Sequence, residues 1–285
     1  MRLSTQTLPL DITFGYEETI KILKKIGFDC YDLSMFSLNR KDGYFSADDY
    51  KERALSLRRA ADEVGIACNQ SHAPFPVFIP DNAEWNERGF DLCVRALEIT
   101  SLVGGAICVV HPCNDWSATE NAEKLYKPLL PYCKKFGVKI ALENIWNWRQ
   151  GATHAEACAC TLPESFLAHL SLLDPEWFVA CLDIGHAEMF QGQTSARELI
   201  LALGDRLQAL HVHDNNLLHD YHTAPYVADI DWDTVCAALR EIGYGGDFTL
   251  EAETFVRKFP PELRVRATEL LRDTGRYLIE KIKNG

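Results

Sequence analysis

The chain has 285 residues, 47% of them hydrophobic and 25% charged, with a formal net charge of −12. That is enough for one large α/β domain with a sizeable core. It argues against a membrane span, because no run of about eighteen apolar residues occurs, and against a nucleic-acid backbone as main partner, because no basic stripe offsets the acidity.

The opening Met1-Arg2-Leu3-Ser4-Thr5 runs straight into a strand-like segment and lacks the apolar core of a signal peptide. The ten cysteines are scattered, several inside apolar runs such as those of Cys108 and Cys181, and Cys158-x-Cys160 is not a zinc-knuckle spacing. Buried free thiols in a reducing cytoplasm are therefore expected.

Along the chain an amphipathic segment, a glycine and a β-rich run recur. The junctions are Gly27, Gly65, Gly105, Gly137, Gly204 and Gly243. Glycine suits the left-handed residue that ends a helix, and the apolar run after it reads as a buried parallel strand. In order, the strands are expected at Leu3–Leu8, Asp29–Met35, Ile66–Ser71, Ala106–Val110, Lys139–Leu142, Phe178–Leu182, Leu207–Val212 and Phe248–Leu250. Helices fill the intervals. The one around Pro128 and Pro131 should be kinked or restarted. The last shows the plainest periodicity, with Leu263, Ala267, Leu270, Leu271 and Leu278 on one face. Eight parallel strands with intervening helices predict a single-domain (β/α)8 TIM barrel over residues 1–285.

Active sites of such barrels lie at the C-terminal ends of the strands. Polar residues gather there from strand three onward. They are His72, then His111, then Glu143 with Asn144, then Asp183 with His186, then His211 and His213, and finally Glu251. The loop after strand seven adds Asp220 and His222. One such residue after a strand is most simply a hydrogen-bonded structural group. Six consecutive strands ending this way point to a shared centre. Converging Glu143, Asp183 and Glu251 would repel one another without a cation between them. Carboxylates with imidazole suit a divalent ion, Mn²⁺ or Zn²⁺ first, with Co²⁺, Fe²⁺ or Mg²⁺ as alternatives. His211 and His213 share a side of the pleat, and the deeper His211 is the preferred ligand, leaving His213 to support the ligands from behind or to face substrate. His154 and His169 fall outside the pattern and are expected to be surface or structural residues.

Leu142-Glu143-Asn144, Leu182-Asp183-Ile184-Gly185-His186, His211-Val212-His213-Asp214 and Leu250-Glu251 resemble the xylose isomerase-like TIM barrels, a superfamily that includes ketose 3-epimerases and endonuclease IV-type enzymes. The likeness spans nearly the whole chain, and Ile230-Asp231-Trp232 supports its register. By resemblance to the 3-epimerases, Glu143, Asp183, His211 and Glu251 would bind one divalent metal. By resemblance to the endonuclease IV type, His72, His111, His186, Asp220 and His222 would be additional ligands of a three-zinc centre. Two departures qualify the likeness. Leu217 stands where the epimerases place a substrate-binding arginine, so that Arg149 or Arg257 would have to substitute, and Thr223 to Asp229 lacks the nuclease Gly-Glu-Gly turn.

The resemblance implies a metal-dependent sugar isomerase or epimerase. Glu143 and Glu251 would be the catalytic pair that moves a proton beside a carbonyl, through an enediolate. His72, His111, His186, His213 and Trp146 would contact the substrate, with Trp148 and Phe75 completing an apolar wall. A small carbohydrate is the expected partner, with homo-oligomer formation left open. Alternatives are an endonuclease IV-like enzyme acting at abasic sites, a lyase that eliminates from a keto-glycoside, and a non-catalytic metal-stabilised binding protein.

Overall fold

The structure is a computed structural model that describes residues 1–79, 81–190 and 192–285. All eight expected strands form: β1 (Leu3–Thr5), β2 (Cys30–Ser34), β3 (Ala67–His72), β4 (Ile107–Val109), β5 (Lys139–Glu143), β6 (Phe178–Asp183), β7 (Leu207–His211) and β8 (Phe248–Leu250). Strands β2 to β7 pair in sequence order as one parallel sheet, and β1 pairs with β8. Isolated parallel bridges, Gln6 to Asp32 and Val212 to Leu250, join the two sheets into a ring. Backbone bonds complete both seams, Thr7 N–H donating to Asp32 at 2.9 Å and Glu251 N–H to Val212 at 3.0 Å. The result is a TIM barrel.

The principal helices, one after each strand, are α1 (Tyr16–Ile26), α2 (Tyr50–Val64), α3 (Ala83–Val103), α4 (Lys127–Phe136), α5 (Pro163–Ser171), α6 (Ala196–Leu203), α7 (Trp232–Glu241) and α8 (Pro261–Asn284). Helix α1 shows why they pack as they do. Tyr16, Thr19, Ile20, Leu23 and Ile26 form one buried stripe at helical spacing, while Lys24 and Lys25 sit in the last turn, where they complement the helix dipole. Gly27 then takes a left-handed φ of 100°, and its N–H returns to Leu23 and Lys24.

Three details of the expected helices are corrected. At the third junction Gly104, not Gly105, takes the left-handed position. A Cβ on Gly105 would instead come 2.9 Å from the Thr100 side chain and 3.2 Å from Cys68 Sγ, so this glycine serves close packing. Around Pro128 and Pro131 the helix neither breaks nor restarts. A π-helical segment, Ala122–Tyr126, leads directly into α4, widening the turn just ahead of the residues that lack an N–H. On α8 the buried stripe contains Ala267, Leu271, Leu278, Ile279 and Ile282, whereas Leu263 and Leu270 are exposed. Leu270 precedes Leu271 by one residue, about 100° around the helix, and so leaves the stripe.

The barrel interior has two characters. On the β4–β7 side, Val109, Ala141, Val179, Cys181 and Ala209 form a small apolar layer. On the β1–β3 and β8 side the interior is a buried hydrogen-bonded chain. Ser4 donates to Asn69 at 2.7 Å, Asn69 to Thr249 at 3.0 Å, Thr249 to Gln70 at 3.2 Å, and Gln70 to Asp32 at 3.1 Å. Each such group left unpaired would cost about 1–3 kcal/mol, so the polar half is linked end to end. All ten cysteines are free, as expected, and no helix among the described residues is long and apolar enough to cross a membrane.

Candidate active site

Strand ends set the site. His72, Glu143, Asp183 and His211 are the last residues of β3, β5, β6 and β7, and Glu251 follows β8 directly. All five are buried. Glu143, Asp183, His211 and Glu251 offer ligand atoms within 4.8 Å of one another, and two further groups with the same property adjoin them: His72, Glu143 and His211, and His186, His213, Asp220 and His222. The residues that the sequence placed at six strand ends do meet.

Hydrogen bonds orient the imidazoles. The Nδ1 atoms of His72, His186 and His222 lie 2.7, 3.0 and 2.9 Å from the carbonyls of Ala73, Asn144 and Glu251. A carbonyl only accepts, so Nδ1 carries a proton and each ring turns its Nε2 toward the cluster. His211 is reversed. Its Nε2 faces Asp32 at 3.2 Å, and its Nδ1 lies 2.8 Å from Glu143 and 3.0 Å from Glu251. Nε2–H donates to Asp32, and Nδ1 points at the two glutamates, where its proton would give way to a bound cation. Sequence reasoning missed Asp32. The available signal was a carboxylate between Tyr31 and Leu33 in a strand that is buried on both faces.

Glu143 is the shared member. Its Oε1 meets His211, and its Oε2 lies 2.9 Å from His111 Nε2 and 3.3 Å from His72 Nε2. Burial alone would raise this carboxyl, but the imidazoles of His211 and His111 outweigh it and hold the group well below the usual glutamate range. Glu251 goes the other way, raised by burial against the pull of His211, with the nearby Glu143 charge adding to the rise. Gln6 Nε2 also donates to Glu251. Burial of Asp183 is overcome by His186 and His213, which bring it down to about 2. His186 responds with a rise to about 10, as Asp183 and Asp220 overcome its burial.

The donor set fits a divalent cation. Asp183 Oδ1 accepts the His186 N–H at 2.7 Å, but its buried Oδ2 has no hydrogen-bond partner. His213 Nε2 is 3.0 Å from Asp183 Oδ1 yet is not aligned for a hydrogen bond. Orphaned carboxylate and imidazole atoms, convergent and dry, are what a carboxylate and imidazole coordination site requires. Among the residues of the three groups, Glu143, Asp183, His211 and Glu251 would hold an ion most deeply.

Above the cluster opens a cavity of about 410 Å³, bordered by Phe36, Phe75, Trp116 and Trp146 and floored by His72, His111, Glu143, His186, Asp220, His222 and Glu251. Several expected substrate contacts move. His213 is fully buried beneath the cavity, because its ring stacks on His222 with centroids 3.9 Å apart. Trp148 packs against Ala155, Met189 and Phe190 and stacks on His219 instead of bordering the cavity. Arg149 pairs with Glu156 at 2.9 Å, and neither it nor Arg257 reaches the lining. His169 is structural, held between Ser165 and Asn121. Asp214 fixes the loop after β7 by accepting from the backbone N–H groups of Asn215, Tyr226 and Ile230 and from Trp232 Nε1.

A family model described as xylose isomerase-like TIM barrel matches residues 20–274. An uncharacterized protein of Methanocaldococcus jannaschii is 29% identical over 225 residues, covering 74% of this chain and 71% of that protein. Among solved structures, a D-tagatose 3-epimerase-like protein superimposes with a TM-score of 0.74 at 21% identity, covering 99% of this chain and 100% of its own. A 3-keto-D-glucoside 4-epimerase from E. coli gives 0.69 at 16% identity, covering 96% and 98%. Structural likeness at these identities shows a common fold.

Proposed function

We propose, for a chain that belongs to the xylose isomerase-like TIM barrel family, a metal-dependent isomerase or epimerase of a sugar or sugar derivative. The observation that carries this reading is the convergence of Glu143, Asp183, His211 and Glu251 within 4.8 Å at the floor of an aromatic-bordered cavity. Solved structures of like fold are named as sugar epimerases, which supports the substrate class.

A divalent ion held by those four side chains would supply Lewis-acid polarisation of a substrate carbonyl. The chain's own residues do the rest. One of Glu143 and Glu251 takes the proton from the carbon beside the carbonyl, and the other returns or receives one. Their different surroundings push their proton affinities apart, the arrangement that lets two carboxyls play unlike roles. His186, a cation between Asp183 and Asp220, lies against the cavity and can donate from Nε2 to a developing enediolate oxygen. Trp146, whose Nε1 donates to Asp220 at 3.3 Å, borders the same floor and holds that carboxylate beside His186.

The test is deuterium wash-in. Protein loaded with Mn²⁺ is incubated in D₂O with a panel of ketoses, and deuterium next to the carbonyl is read by NMR. Glu143→Gln and Glu251→Gln should each abolish it with the fold intact. Exchange that persists in both single variants would defeat the assignment.

A second reading is favoured by one observation, the two further ligand groups that adjoin the first, one of them sharing Glu143 and His211 with it. Filled together they would make a trinuclear zinc centre acting on abasic DNA. The net charge of −12 and a lining without Lys or Arg among the described residues weigh against it. Nicking of an abasic duplex by the zinc-loaded protein would establish it, and its absence at three bound zinc ions would remove it.

A further inference from the structure

We infer that the substrate is an uncharged sugar carrying a ring substituent, with the sugar on the carboxylate and imidazole floor and the substituent on Phe75, Phe78 and Trp116. This rests on the sugar reading and narrows it.

Apart from its imidazoles the cavity carries no basic group among the described residues. Asp115, Glu143, Asp220, Glu251 and Glu253 all border it, and no Lys or Arg does among the described residues. Cations near the mouth are engaged elsewhere. Lys124 lies over the Trp116 ring at 5.0 Å and pairs with Glu120 at 2.9 Å, and Arg149 pairs with Glu156. A phosphate or carboxylate on the substituent would lose its water beside Asp115 and Trp116 and meet no guanidinium or ammonium there. An uncharged ligand has no such penalty.

The lining is also more than the polar floor. Beyond His111 the wall turns apolar, through Pro76, Val77, Phe78 and Pro112 to Trp116. Phe78 and Trp116 are in contact, with centroids 4.2 Å apart. Phe75 stacks on His111 at 4.8 Å and an interplanar angle of 24°, and remains 44% exposed. A single sugar ring held over the floor would leave this aromatic arm wet. The volume of about 410 Å³ falls within the range of sites for ligands larger than one ring. A second ring, sugar or aryl, would cover the arm through stacking and apolar contact.

The experiment is calorimetric titration of Mn²⁺-loaded protein with D-glucose, D-glucose 6-phosphate, cellobiose and the phenyl α- and β-D-glucopyranosides. At least one two-ring ligand should bind about tenfold more tightly than glucose, a gain of the size that one aromatic contact provides. The phosphate ester should bind no more tightly than glucose. Trp116→Ala should lose the two-ring preference while keeping its affinity for glucose. Phe75→Ala, at a half-exposed position that tolerates truncation, should weaken the preference without a change in melting temperature. Tighter binding of the phosphate ester, no gain from any second ring, or a preference intact in both variants would overturn the inference. Deuterium wash-in without a two-ring preference would sink this inference alone. A two-ring preference without wash-in into any ketose would sink the isomerase reading alone.

Discussion

Asp32 provides the sharpest perturbation of the proposed centre. It is fully buried, accepts from Gln70 Nε2 at 3.1 Å and faces His211 Nε2 at 3.2 Å. Its carboxylate holds the His211 ring by Nε2 so that Nδ1 faces Glu143 and Glu251. Removing a partner of this kind typically costs 10- to 100-fold in metal affinity, or about 1.4–2.8 kcal/mol. Asp32→Ala should reach the upper part of that range, because Gln70 Nε2 is then left with only the Leu210 carbonyl at 3.4 Å and the imidazole Nε2–H loses its acceptor. Asp32→Asn keeps an amide oxygen for the Nε2–H and should lose less. The assay is competition for Mn²⁺ or Zn²⁺ against a fluorescent chelator. Wild-type affinity in Asp32→Ala would refute the reasoning.

Other expectations follow from the same geometry. Burial raises Asp11 to about 6, against the hydrogen bonds from Ile12 N–H and Thr7 that favour its charge. The folded state therefore holds this proton more tightly than the unfolded state does. Stability from this group is greatest below pH 4 and falls as pH rises toward and through 6. Asp11→Asn should accordingly stabilise the protein at pH 7, by at most about 3 kcal/mol, and make no difference at pH 3.5 in denaturant titrations. Gly185→Ala would place a Cβ 1.9 Å from the His213 ring, so the variant should lose bound metal and melt at lower temperature. Arg276→Ala removes a partly exposed pair with Asp29, at 2.7 Å, and should cost no more than about 1 kcal/mol in thermal unfolding.

Much of the fold was legible because barrel strands announce themselves. Leu207 to Val212 and Phe178 to Leu182 are short apolar runs that follow helices, and a closed parallel sheet is the natural way to bury eight such runs in a chain of this size. The floor of the site was legible for a related reason. A carboxylate or imidazole at the end of an apolar strand is expensive to bury unless others meet it there, and Glu143, Asp183, His211 and Glu251 do meet.

What escaped were relations set by neighbours distant in sequence. Asp32 lies 179 residues from His211, and nothing local marks the pair. The inward alternation that puts His213 on the same side as His211 was correctly read, but its depth depended on Gly185 and on the His222 ring above it. Trp146 and Trp148 are two residues apart and looked equivalent, yet the chain between them turns one toward the cavity and the other onto Met189 and Phe190. Likewise Leu270 carries the apolar character of the α8 stripe but not its phase.

Metal content of the purified native protein, measured by elemental analysis alongside Glu251→Gln, tests the proposed centre most directly. The expected result is close to one divalent ion per chain, lost in the variant while the circular dichroism spectrum is kept. A native protein that neither contains nor takes up a divalent ion would contradict the metal-dependent reading outright, and three zinc ions per chain would move the assignment to the phosphodiesterase.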